Sequence, residues 1–153
     1  MKPGETTLRS RHLDEIAEAL PQRASALSQI FLTRSTMSVS RTEAGVLRRL
    51  EEGPRRISEL AGEEQVTQPA ITLLVNRLED RGWVQRSADP SDGRAVLVSL
   101  TGAGADALHR LRAEYRALLH EEMATLQDGE VETLAEAVQI LDRLIAQLSD
   151  RPR

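Results

Sequence analysis

The residues best placed for recognition chemistry in this 153-residue chain lie in the segment Thr67-Gln-Pro-Ala-Ile-Thr-Leu-Leu-Val-Asn-Arg-Leu. Ile71, Leu74, Val75 and Leu78 recur at three- and four-residue steps, so a helix would bury them and leave Thr67, Gln68, Thr72 and Asn76 outside. Those short polar groups match the edges of bases: glutamine pairs bidentately with adenine, and Pro69 or Ala70 can touch a thymine methyl. Arg77 faces a phosphate backbone by the same count. An ordinary solvated helix face has a similar composition, so the neighbouring elements must decide. Other chemistries find little footing. The chain has no cysteine, which excludes disulfides, thiolate metal sites and cysteine nucleophiles. His12, His109 and His120 are scattered without zinc-ligand spacing, and neither a nucleophile elbow nor a glycine-rich phosphate loop occurs. The expectation is a protein that is not an enzyme and uses no cofactor or metal.

The elements that would position the segment can be read around it. Leu13, Ile16, Leu20, Leu27, Ile30 and Phe31 mark a long first helix from about Leu8 to Arg34, with Pro21 predicting a kink or a split into two helices. Ser40-Arg-Thr-Glu43 is a capping box opening a helix to Glu52, ended by Gly53-Pro54. Arg55–Ile57 is a short extended stretch, and Ser58 is expected to cap a short helix over Glu59–Gly62. Thr67 caps the next helix, through Arg81, with Pro69 in its first turn and Gly82 closing it. Trp83–Arg86 and Ala95–Leu100 read as strands joined by a polar turn over Ser87–Arg94. Thr101 caps a long helix carrying Leu108, Leu111, Tyr115, Leu118 and Met123, and Asp128 caps a last one. In that last helix Val131, Leu134, Val138, Leu141, Ile145 and Leu148 form a heptad row suited to a partner helix, in another copy or in the same chain.

The order of capped helix, short strand, short helix, tight turn, longer helix and hairpin is that of a winged helix-turn-helix. The fold class is therefore mainly α with a small β-hairpin, as one domain over 1–153. A winged helix-turn-helix lobe would occupy 40–100, and a helical dimerisation lobe 8–36 and 101–148. Disorder is expected only at Met1–Thr7 and Ser149–Arg153. The net charge of −4 tempers a nucleic-acid reading, since between Arg48 and Arg94 eight arginines meet nine carboxylates. Binding would rest on a few placed arginines, and a winged helix used for protein contact is the alternative. Met1–Arg11 is polar and no apolar run approaches a membrane span, so a soluble, cytoplasmic protein with no membrane partner is expected.

Asp89-Pro-Ser-Asp-Gly-Arg94, running through Val96–Leu100 into Thr101-Gly-Ala-Gly104, resembles the wing signature of the MarR family of winged helix-turn-helix transcriptional regulators. The resemblance extends through Arg56-Ile57-Ser58-Glu59-Leu60-Ala61 and Val75–Val84, and covers roughly Ser40 to Leu126. It implies that Arg94 enters the minor groove with Asp92 holding its guanidinium. A surface ion pair locking the turn would leave the same pattern. Ser58, Thr67, Gln68, Pro69, Ala70, Thr72, Asn76, Arg77, Arg86, Ser91, Asp92 and Arg94 are thus the candidate contacts to double-stranded DNA. The resemblance further implies a homodimer, a repressor, and a small aromatic or anionic effector held near the first helix. Arg11, His12, Arg23 and Arg34 are the candidates there for pairing a carboxylate.

Overall fold

The computed structural model describes residues 3–151, with the side chains of 8–92 and 95–151. In chain order the elements are α1 (Pro3–Arg34), α2 (Arg41–Glu51), β1 (Arg55–Arg56), α3 (Ile57–Glu63), α4 (Gln68–Asp80), β2 (Val84–Asp89), β3 (Asp92–Leu100), α5 (Gly102–Met123) and α6 (Asp128–Ser149). The chain forms two compact units, Met1–Ala113 and Glu114–Arg153, dividing within α5.

In the first unit, aliphatic side chains from every layer meet in one core. Val46, Leu47 and Leu50 of α2, Leu60 of α3, Ile71, Leu74, Val75 and Leu78 of α4, Val84, Val98 and Leu108 are all buried, with Trp83 and Leu100 packed against them. The stripe expected on α4 is the buried one. The sheet has the order β1-β3-β2 and is antiparallel throughout, so β3 is central and Arg55 and Arg56 pair with Val98 and Leu97. The hairpin is longer than its turn signals imply. Strand pairing continues to Asp89 opposite Asp92, leaving a two-residue turn where a loop over Ser87–Arg94 is expected from composition. Cross-strand hydrogen bonding from β3 overrides the weak strand propensity of Ser87-Ala88-Asp89.

Several helix boundaries follow local hydrogen bonds. The Ser40 amide donates to Glu43 Oε2 at 2.7 Å and the Glu43 amide to Ser40 Oγ at 3.2 Å, completing the capping box of α2. Ser58 does not cap α3. Glu59 reaches back to accept from the Arg56 amide at 2.7 Å, so the helix starts at Ile57. Asp128 is likewise a first-turn residue of α6, because Glu130 accepts from the Gln127 amide at 2.9 Å. One helix runs through Pro21, in place of two, and α1 already begins at Pro3, within the stretch expected to be disordered. Met1, Lys2, Pro152 and Arg153 lie outside the described residues.

In the second unit the remainder of α5 and α6 are joined across Ala124–Gln127. Helix α6 buries no residue, and Val131, Leu134, Val138, Ile145 and Leu148 stand exposed along it. In the first unit α1 is similarly open at Leu8, Leu13, Ile16, Leu27 and Ile30.

Candidate nucleic-acid interface

The turn between α3 and α4 sets the recognition segment. Val66 donates to the Ala61 carbonyl at 3.0 Å, and Gln65 adopts φ +55°, a left-handed conformation usually given to glycine. Thr67 Oγ1 then accepts from the Ala70 amide and opens α4. With the aliphatic stripe turned into the core, Gln68, Pro69, Ala70, Thr72, Leu73, Asn76 and Arg77 are exposed.

Hydrogen bonds within the unit narrow what these groups can offer. Thr72 Oγ1 donates to the Gln68 carbonyl at 2.9 Å, so its hydroxyl remains an acceptor. Asn76 Oδ1 accepts from Arg86 Nη2 at 2.6 Å, which occupies one of its two lone pairs and leaves the amide hydrogens as donors. Arg86, half-buried, also pairs with Glu79 and so braces β2 against α4. Arg77 Nε lies 3.6 Å from Glu43 Oε1, and Arg81 lies 3.9 Å from the same oxygen while donating to the Ser38 carbonyl at 3.0 Å. Gln68 keeps both ends of its amide free of any described partner.

The wing is clamped by residues whose roles the sequence does not reveal. Asp89, 6% exposed, accepts from the Ser91 amide and hydroxyl through Oδ1 at 2.8 and 2.7 Å, and from Arg56 Nε through Oδ2 at 2.7 Å. Arg56 also donates to Ser91 Oγ at 3.3 Å. The Ser91 hydrogen bonds, with Arg56 behind them, lower the Asp89 carboxyl to about 2, and Asp89 in turn raises Arg56 above its ordinary value. Ser91 and Asp92 are exposed at the tip, whereas the Arg94 side chain lies outside the described residues. Ser58 is exposed at the start of α3.

Thr101 fastens the base of the wing to α5. Its hydroxyl donates to the Gly82 carbonyl at 2.6 Å and accepts from the Gly104 amide at 3.0 Å. A Cβ on Gly104 would overlap the Trp83 carbonyl oxygen and lie 2.8 Å from Leu100 Cδ1. Arg112 on α5 meets Glu51 on α2 through two 2.7 Å bonds, a fork that lowers the Glu51 carboxyl.

Arg11, His12, Arg23 and Arg34 are all exposed on α1. A cleft of about 650 Å³ lies beyond them, lined by Leu32, residues 35–40, Glu43, Arg77 and Arg81. Glu43, 4% exposed, is the hub of this wall: its capping box is legible in sequence, its pairing with the far end of α4 is not. Leu73 carries no base-edge signal as a residue type, although projecting α4 as a helical wheel places it outside.

The family model described as the MarR family matches residues 39–96. An HTH-type transcriptional regulator of Mycobacterium bovis is 35% identical over 94 residues, which is 61% of this chain and 66% of that protein's length. A probable transcriptional regulator from Pseudomonas aeruginosa, known as a crystal structure, is 35% identical with a TM-score of 0.58, covering 84% of this chain and 98% of that one. The apo crystal structure of wild-type MarR from E. coli is 27% identical with a TM-score of 0.67, and covers 84% of this chain and 95% of that one. The fold is similar to both structures over most of the chain, and the chain belongs to the MarR family of transcriptional regulators.

Proposed function

We propose that the chain is a sequence-specific DNA-binding regulator, acting as a homodimeric repressor on a pseudo-palindromic operator. The observation that carries this reading is the outward face of α4 beside a clamped wing. A helix whose first turns present Gln68, Pro69, Ala70 and Thr72 suits the major groove, and an arginine at the wing tip suits the narrow, negative minor groove of A·T-rich DNA. Two-fold pairing would set the two recognition helices about 34 Å apart. The exposed aliphatic rows of α1 and α6 supply surface for that pairing.

Ligand response is part of the proposal. A small aromatic or anionic effector entering the cleft beside Glu43 would compete for Arg77 and Arg81 and so act on the seat of α4. Arg11, His12, Arg23 and Arg34 do not line this cleft and would hold a carboxylate only at a separate position along α1.

One observation favours a second reading, protein contact without DNA readout: several arginines of the winged unit are already paired with carboxylates of the same unit. A mobility-shift assay on the intergenic DNA upstream of the chain's own gene separates the two. Wild type should retard the duplex, and Arg94→Ala should weaken binding at all sites with a bias against A·T-rich flanks. Equal binding by both would overturn the role of the wing, and no retardation of any duplex would favour protein contact. Because so many of these arginines already have carboxylate partners, the affinity should fall less steeply with salt than for a strongly basic domain.

A further inference from the structure

We infer that Leu73 is a specificity residue, reading the C5-methyl group of a thymine in the major groove. The inference rests on the DNA-binding reading and says what this chain's α4 would select. Leu73 is 62% exposed, on the side of α4 opposite Ile71, Leu74, Val75 and Leu78. It lies one turn beyond Pro69, and at 100° per residue the two point within about 40° of each other. With Ala70 also exposed, α4 presents an apolar strip on its outward side.

A single exposed leucine is common on a protein surface. Its neighbours make this one informative. The polar groups around it are partly committed: the Thr72 hydroxyl proton to the Gln68 carbonyl, and the Asn76 oxygen to Arg86. Of these three polar groups, Gln68 is the one whose side-chain amide keeps both ends uncommitted among the described residues. A leucine at the centre of this face offers a base pair neither donor nor acceptor, and the group it complements in the major groove is the thymine methyl. Leu73 lies about 7.5 Å along the helix from Gln68, so the two side chains address different base pairs.

The test uses the full chain and a duplex enriched by wild type from a randomised pool. Each thymine is replaced in turn by deoxyuridine, which keeps every hydrogen-bonding group and removes only the methyl. At one thymine in each half-site the replacement should weaken wild-type binding about fourfold, the value of one buried methyl-sized group. Replacing both should weaken it about fifteenfold. Leu73→Ala should be insensitive to the same replacements, with its thermal melt as the control for folding. A normally enriched duplex that is indifferent to deoxyuridine throughout, or a Leu73→Ala protein that keeps the full sensitivity, overturns the inference alone. A pool from which wild type enriches nothing overturns the DNA-binding reading and this inference with it.

Discussion

Asp89 is the residue on which the wing turns, and its charge state should be visible in stability. Its carboxyl is lowered from 3.8 to about 2 by Ser91 and Arg56, so the folded form favours the ionised group. That contribution is complete above the unfolded value and is lost as pH falls from 3.8 toward 2. Thermal melts across this range should show wild type losing stability with acid, and Asp89→Asn should flatten that part of the profile. On the recognition helix, Gln68→Ala should relax preference at one base pair at a cost of about 1–3 kcal/mol, measured by competition between operator variants. These residues also mark where sequence stops being informative. The Gln68 exposure and the Ser40–Glu43 box follow from helical spacing within a few residues. The Arg56–Asp89 clamp spans 33 positions and exists only because β1 adds to the outer side of β3. Nothing local to Arg56 announces that partner, and the turn sequence draws attention to Asp92 instead.

At the scale of elements, two backbone positions should respond in opposite directions. Gly104 sits where α5 starts against the root of the wing, and Gly104→Ala must push Trp83 or Leu100 aside. Overpacking of this kind costs about 1–3 kcal/mol, and a denaturant titration should show it. Gln65 holds a left-handed conformation in the α3–α4 turn, so Gln65→Gly should gain up to about 1 kcal/mol in the same titration once the added freedom of the unfolded chain is counted. The α4 stripe, the α2 capping box and the order of elements are readable because each obeys a short period. The extent of the hairpin is not. Ser87, Ala88 and Asp89 have turn-like composition, and only pairing with β3 makes them a strand.

At the scale of the whole molecule, the proposed homodimer has consequences for both assembly and stability. If the aliphatic rows of α1 and α6 are covered by a second copy, the melting temperature should rise with protein concentration. Ile145→Lys, at a position 60% exposed in the single chain, should shift the species seen by light scattering from dimer to monomer. Helix content that stays unchanged in circular dichroism would show that the loss is of association. One feature of the first unit reaches further than its own contacts. Glu43 divides its work between two oxygens: Oε2 accepts from the Ser40 amide, while Oε1 faces Arg77 and Arg81. Whatever draws the arginines away therefore frees the carboxylate to swing, and the amide proton of Ser40 loses its shelter. Hydrogen exchange at that one amide, at the start of α2, becomes a spectroscopic gauge of how firmly α4 is seated across the cleft.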